Sequence, residues 1–527
     1  MTRRRQPIRQ SQNKAAVVKP INWVAPVDGW QTAVPLEELP PTAAAQLTNW
    51  FPEAGYIRAR NGSYAYATGL GGSVGTLMPY SGATNKLFAA TPSAIYDVSS
   101  AGAVGAAAVS GLTNAHWSSA QFTNLGGHWM VACNGSDAPQ LYNSAAGTPW
   151  VNLTATGPSS LASLNVVNVY RSRLWFLQAG TCNLWFFPTD AITGVLTQIN
   201  VGDVMKFGGT LVAMATWTNE TTTGVVQMLV LMSSQGEVIV YQGSDPTTTT
   251  NWSLMGTFKV GLPLGGDRCL YPVGADLAMM TVDGIIPISQ AILLNPAASD
   301  QASLAKNIAP TFLSTVQSVG PTIAGWELCI YPQSRMLLVN IPDQSIGTYQ
   351  FVMNVETGAW CDFVGMPSTC WNAWNSGLYF GTSGGTVMQA DYGSNDNGAA
   401  IDCLSVGAWT RLSDGFAPKN TTMIVADVNI DGNAQIFMGA SFDFNITTPV
   451  ALSSSGVQNS QAQWGVAQWG VDVWPGAGPL RILAPAPGCG ATFAPTVRAL
   501  VSGQTGQASN CHLLGGAIQV QQGMSGI

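Results

Sequence analysis

Histidine is scarce in this chain, and the scarcity limits its chemistry: the only three are His116, His128 and His512. A nucleophilic serine or cysteine needs an imidazole nearby to take its proton. His116 precedes Trp117 and His128 precedes an apolar run, so both read as structural histidines with satisfied partners. No Gly-x-Ser-x-Gly elbow, His-Glu-x-x-His helix or phosphate-cradling Gly-Lys-Ser/Thr loop occurs. The nine cysteines (133, 182, 269, 329, 361, 370, 403, 489 and 511) contain no Cys-x-x-Cys pair. An odd, scattered set reads as reduced, buried thiols rather than a disulfide framework or a zinc site.

Carboxylates are the remaining candidates. Asp97, Asp137, Asp190, Asp245 and Asp283 lie near turns, where a glycosidase wheel would hold its acids. The blade box of sialidases is absent, however, and Asp283-Gly284 reads as a hairpin turn. Asp427-Val-Asn429-Ile-Asp431-Gly432 opens like a calcium loop, but Met438 stands where a bidentate Glu must close it. It reads as a strand running into an Asp-Gly turn, and Asn395-Asp-Asn-Gly398 as a polar loop. No catalytic, cofactor-binding or metal-binding residue is therefore assigned, and no cofactor is expected.

The elements that would carry such groups repeat. An apolar run, a short polar or glycine turn and a second apolar run recur from Leu87, Trp129, Leu174, Met228, Leu277, Met336 and Leu378. The intervals are 42, 45, 54, 49, 59 and 42 residues. Asn134-Gly135, Asp283-Gly284 and Gly384-Gly385 are strong hairpin turns, and Gln235-Gly236 is a weaker relative. Hairpins at roughly 40 to 50 residues are the mark of propeller blades. Runs such as Trp175-Phe-Leu and Leu229-Val-Leu are apolar on consecutive residues, so both strand faces are buried, as they are between neighbouring blades. The expected fold is all-β: a β-propeller with an appended C-terminal β domain and an extended N-terminal arm. Residues 1–20 read as a basic flexible tail and 21–70 as an extended arm leading into the propeller. That arm includes a short helix at Thr42–Asn49, capped by Thr42. Residues 71–394 read as the propeller, with about six to seven blades. Residues 395–527 read as a strand-rich domain that either completes the propeller or forms an interface. Within it Trp464, Trp469 and Trp474 are five residues apart, a spacing that fits one face of neither a strand nor a helix.

Composition narrows the class. The 527 residues are 46% hydrophobic and only 9% charged, so a highly charged disordered chain is excluded. The longest apolar stretches, such as Val225 to Met232, are far too short to cross a bilayer as a helix. A surface of Ser, Thr, Asn, Gln and Gly resists association weakly, so either the architecture closes the strand edges or the chain sits inside an assembly. Of the 20 Lys and Arg, Arg3, Arg4, Arg5, Arg9 and Lys14 fall in the first 14 residues, which hold no acid. The remainder keeps 15 bases against 27 acids, a net of −12. No signal-peptide pattern precedes it, so synthesis in a cytoplasm is expected.

Several stretches resemble a known family. Trp30 to Glu53, with its Leu-Pro-Pro-Thr-Ala-Ala-Ala-Gln-Leu-Thr-Asn-Trp-Phe-Pro-Glu close, and Arg58-Ala-Arg-Asn-Gly-Ser resemble the opening of tail nozzle proteins of short-tailed bacteriophages. These are also called tail hub, stabilisation or tail tubular B proteins. Gly75-Thr-Leu-Met-Pro-Tyr with Lys86-Leu-Phe-Ala-Ala-Thr is similar to that family's first blade. The Trp464-Gly465 and Trp469-Gly470 run is similar to its repeated Trp-Asp run, with glycine in place of the acids, so no role of those acids carries over. Phe493-Ala-Pro-Thr-Val-Arg498 and Gly515-Gly-Ala-Ile-Gln-Val also fit. The resemblance implies a non-enzymatic virion protein that forms a hexameric ring below portal and adaptor. It would contact the head–tail adaptor and tail fibre or spike proteins, and extend or gate the DNA ejection conduit. Viral DNA would pass without specific binding, along a wall that is neutral to negative. The alternative from another class is a propeller that binds or hydrolyses glycans.

Overall fold

In the computed structural model, residues 18–146, 149–221, 224–248, 250–293, 302–342, 345, 350–412, 417–430, 434–450, 479–503, 506 and 510–522 are described. The chain is all-β and builds a seven-bladed propeller that runs into a C-terminal β-sandwich. Each of the seven hairpins expected from sequence supplies the second and third strands of one blade. In blade 1 they are Asn85–Ala90 and Ala94–Asp97, flanked by Thr76–Ser81 inside and Val109–Ser110 outside. Blades 2, 3 and 4 follow from Ser118–Asn124, Leu164–Tyr170 and Leu211–Thr221, each with four strands. Blade 5, from Leu270–Val273, has three among the described residues. The helix Ala309–Val319 buries Phe312, Val316 and Val319 in the core between blades 5 and 6. Pro310 sits in its first turn, where no backbone donor is lost.

The consecutive apolar runs are explained by where alternate side chains go. In blade 3, Leu174 and Phe176 pack against Val131 and Cys133 of blade 2. Their neighbours Trp175 and Leu177 pack against Leu229 and Leu231 of blade 4. The partition continues around the wheel. Val230 and Met232 face Leu277 and Met279; Ala278 and Met280 face Leu337 and Val339; Leu338 shares a core with Leu378 and Phe380. Tyr379 then packs against Leu87 and Ala89 of blade 1, and the ring of apolar interfaces closes.

Covalently distant strands make the closure. Ser63–Thr68, from the arm, is the outer strand of blade 7 and pairs antiparallel with Val387–Ala390. Part of the arm therefore belongs to the wheel. Gly62 leads into this strand, and a Cβ there would lie 1.9 Å from the Asn395 carbonyl oxygen. Backbone cannot yield as a side-chain tip does. Gly62→Ala should therefore cost about 1–3 kcal/mol, read from denaturant midpoints, with the m-value unchanged.

The arm also differs from expectation at Thr42–Asn49, which is not a helix. Gln46–Thr48 is a strand, pairing with Ile401–Val406 on one side and touching Trp360–Phe363 on the other. Thr42 Oγ1 donates to Asp28 instead of capping. A helix this short is unstable alone, so the burial of Ala43, Ala44 and Leu47 in the sheet seam decides the conformation.

Through that inserted strand the blade 6 sheet continues into Ile401–Val406, Phe493–Val501 and Ala434–Phe442, eight strands in all. A second sheet packs on this extension, centred on Lys419–Ile430 between Cys511–Gln522 and Leu480–Gly490. Lys419–Ile430 alternates buried and exposed residues, as expected with one face on a core. Ile424, Ala426 and Val428 meet Val497 and Ala499 there, and this core is continuous with that of blades 6 and 7. Pro485 and Pro487 lie on Leu480–Gly490, an edge strand, where missing donors are tolerated and blunt further pairing. The calcium-like loop belongs here. Asp427 lies on a strand and binds Arg481 in a two-point ion pair (2.8 and 3.0 Å), while Asp431 to Asn433 lie outside the described residues. Also outside them are the basic tail through residue 17 and the segment 451–478 that carries Trp464, Trp469 and Trp474.

Candidate functional site at the propeller axis

All seven inner strands run the same way, so their leading ends gather on one face around the axis. Residues at the leading ends of five of these strands meet. The turn Gly266–Arg268 precedes the inner strand of blade 5 and projects Asp267 and Arg268. Arg268 Nη2 donates to the Gly75 carbonyl at 3.0 Å and to Thr76 Oγ1 at 2.6 Å, both at the start of blade 1. Its Nη1 meets Glu327 Oε2 at 3.3 Å, at the start of blade 6. The same Glu327 oxygen accepts the Trp371 N–H of blade 7 at 2.9 Å. Asp267 Oδ1 lies 2.6 Å from His116 Nε2, just ahead of blade 2. Blade 5 thus reaches across the axis to blades 1 and 2, and this face of the wheel is bridged by side chains.

The electrostatics are those of a closed network. Burial works to raise the Asp267 carboxyl, but the His116 hydrogen bond, with the charges of His116 and Arg268, holds it below the usual range. Burial raises Glu327, and the Arg268 charge offsets only part of that. Burial disfavours the Arg268 charge too, yet Glu327 and Asp267 outweigh it and keep the guanidinium firmly protonated. Thr76 Oγ1 completes the net, donating to the Ala115 carbonyl and accepting the Trp117 N–H, both at 2.9 Å. The nearby Cys133 and Cys269 are fully buried and burial pushes both thiols up, so neither is a thiolate nucleophile. What the arrangement does is tie five blades together at the hub.

The other residues singled out from sequence are dispersed. His128 bonds Thr123 and Gln121 beside Tyr80, and His512 stacks on Tyr56. Asp97 pairs with Lys86 in blade 1, Asp137 binds Thr113 and Asn134, and Asp245 lies by Arg173 and Thr247. Asp190 takes a left-handed turn with φ 60° and Asp283 sits in its hairpin turn. These five acids belong to five successive parts of the wheel. Of the cysteines, seven are buried and Cys182 partly so; Cys489 is exposed, because its edge strand turns it outward. Among the described residues no group of three or more His, Cys, Asp or Glu could hold a metal ion, and no helix is long and apolar enough to cross a membrane. Asp267, Arg268 and Glu327 carry no motif that marks them in the sequence. The available signal was an Asp-Arg pair beside an apolar strand in a chain so poor in charge.

No model of a known protein family matches the chain, and no curated protein matches it. Solved structures similar to it include the β-propeller domain of Myceliophteria thermophila Cps50 (Swd1), at 11% identity and a TM-score of 0.40, covering 62% of this chain and 99% of that one. BBS1N in complex with ARL6DN is similar at 10% identity and 0.37, covering 61% and 93%. YCF48 bound to D1 peptide is similar at 10% identity and 0.36, covering 65% and 94%. All three are distant, and the wheel rests on the chain's own sheets.

Proposed function

We infer that this chain is a structural subunit of the tail of a short-tailed bacteriophage, a nozzle or hub that assembles as a ring, in a hexamer by the resemblance described above. The ring extends the DNA ejection conduit and gates it, between the head–tail adaptor and the fibres or spikes. The chain is made in the host cytoplasm, resides in the virion and carries out no catalysis of its own.

One observation carries this reading: most of the basic side chains beyond residue 14 are paired with carboxylates. Of the 15 Lys and Arg beyond residue 14, nine are held in ion pairs with carboxylates among the described residues. Proteins hold duplex DNA chiefly by presenting cations to phosphates and releasing counterions. A body with a net of −12 and most of its cations paired offers little of that attraction, so DNA slides past. The bridged hub adds a geometric point. The route for DNA lies between copies, not through the wheel.

Light scattering on the purified chain, alone and with its adaptor, should give a ring mass. Retention of duplex DNA on the ring should stay at background near physiological salt. Tight, salt-sensitive retention, or glycan binding or hydrolysis by a monomer, would overturn the reading in favour of a nucleic-acid-binding or glycan-active propeller.

A further inference from the structure

Between wheel and sandwich the shared sheet is held unequally. Gln46–Thr48 pairs with three residues of the sandwich side, Val406, Ser405 and Leu404. On the wheel side it pairs with one, Asp362. Asn49 N–H donates to the Asp362 carbonyl at 2.8 Å and extends that contact by a single bond. Asp362 is 6% exposed, and its Oδ1 accepts one side-chain hydrogen bond, from Thr48 Oγ1 at 3.1 Å.

The charged groups around it are committed elsewhere. Arg58 pairs with Glu53 on the hairpin packed against Trp360–Phe363. Arg60 is bound by Asp396. Across the inserted strand Asp402 holds Arg498, and in the loop that bridges Trp360 Asp28 takes the Thr42 hydroxyl. Tyr56 is stacked on His512. Cys361 and Cys403 are buried thiols pushed up by burial, and neither supplies a charge. The third strand of blade 6, Gln350–Asn354, carries no ionisable group. Among the described residues, then, no cation is paired with Asp362.

We propose that Asp362 is a proton-held joint: its neutral carboxyl keeps the inserted strand Gln46–Thr48 docked on blade 6, and loss of the proton loosens that strand locally while the wheel stays folded. Burial, only partly offset by Thr48, pushes the carboxyl up to about 7. The sign follows. An exposed aspartate loses its proton near pH 4, so between about pH 4 and about pH 7 the docked state holds a proton that the loosened state has lost. Loosening therefore grows with pH across that window and levels off above it. The apolar core shared by sandwich and blades 6 and 7 confines the change to the strand.

Hydrogen exchange on the full chain tests this, with rates corrected for intrinsic pH dependence. Protection of amides 46–49 and 362–364 should fall about tenfold per pH unit between about pH 4 and about pH 7, then flatten, while blade 3 amides stay unchanged. In Asp362→Asn the fall should vanish. Thr48→Val, which removes the bond that stabilises the carboxylate, should extend the fall to higher pH and serves if the first variant does not fold. A flat profile in the native chain, an equal fall in Asp362→Asn, or no displacement in Thr48→Val would overturn the proposal.

Discussion

Replacing Arg268 with methionine should destabilise the protein by about 3–5 kcal/mol, a large part of the stability a folded domain has to lose. The side chain is 11% exposed and spans from blade 5 to blades 1 and 6, so its loss leaves Glu327 as a buried acid without its cation, while Asp267 keeps His116. Methionine fills the stem's volume and tests the charge rather than the space. The deficit should depend on pH. Removing the cation raises the folded-state pKa of Glu327 further above its unfolded value. Protonation then relieves the buried charge, and the gap from the native protein narrows as pH falls towards about 4. Adding Glu327→Gln to the variant should recover part of the loss at neutral pH. Denaturant titrations of both variants at two pH values measure this. An unchanged midpoint in Arg268→Met would mean that the hub network does not hold the wheel.

Replacing Arg60 with alanine should cost a similar amount, about 3–5 kcal/mol, and the damage should appear at the wheel's closure. Arg60 is 1% exposed. Its Nε donates to Asn49 Oδ1 at 2.8 Å, and Nη1 to the Asn61 carbonyl and Asp396 Oδ1, each at 3.0 Å. Nη2 donates to the Val364 carbonyl at 2.6 Å and to the second Asp396 oxygen. One planar fork thus joins the arm, the end of blade 6 and the end of blade 7, three residues ahead of the closing strand Ser63–Thr68. Lysine has a point charge and no fork, so Arg60→Lys should restore little. Limited proteolysis should show new cleavage between residues 60 and 75 in the alanine variant, before any in blades 2 to 4. Cleavage spread evenly over the blades would contradict a role specific to closure.

The seven hairpins were legible because burial on both faces leaves a plain mark, as in Met228–Met232, and because a turn glycine punctuates it; Gly236, for example, has φ 78°. The outer strands left no such mark. Val109–Ser110 is two residues long and half solvated, and a run of that kind reads as loop. The closing strand is hidden for another reason: Ser-Tyr-Ala-Tyr-Ala-Thr pairs with residues more than 300 positions away, and no local pattern records a partner that remote. At Thr42–Asn49 local propensity pointed to a helix and long-range pairing overrode it. The hub was the least legible part. Gly75, His116, Asp267 and Glu327 become neighbours only when the ring closes, so neither spacing nor motif announces them.

On the proposed function, copies of this wheel stand side by side around a conduit, with each wheel's own axis shut at the hub. Averaged electron-microscope images of the native particle test it most directly. They should show a ring of wheels set off the tail axis, enclosing an opening wide enough for duplex DNA and poor in unpaired Lys and Arg. A single wheel centred on the tail axis with DNA threading its bore, or the absence of this chain from the tail, would contradict it.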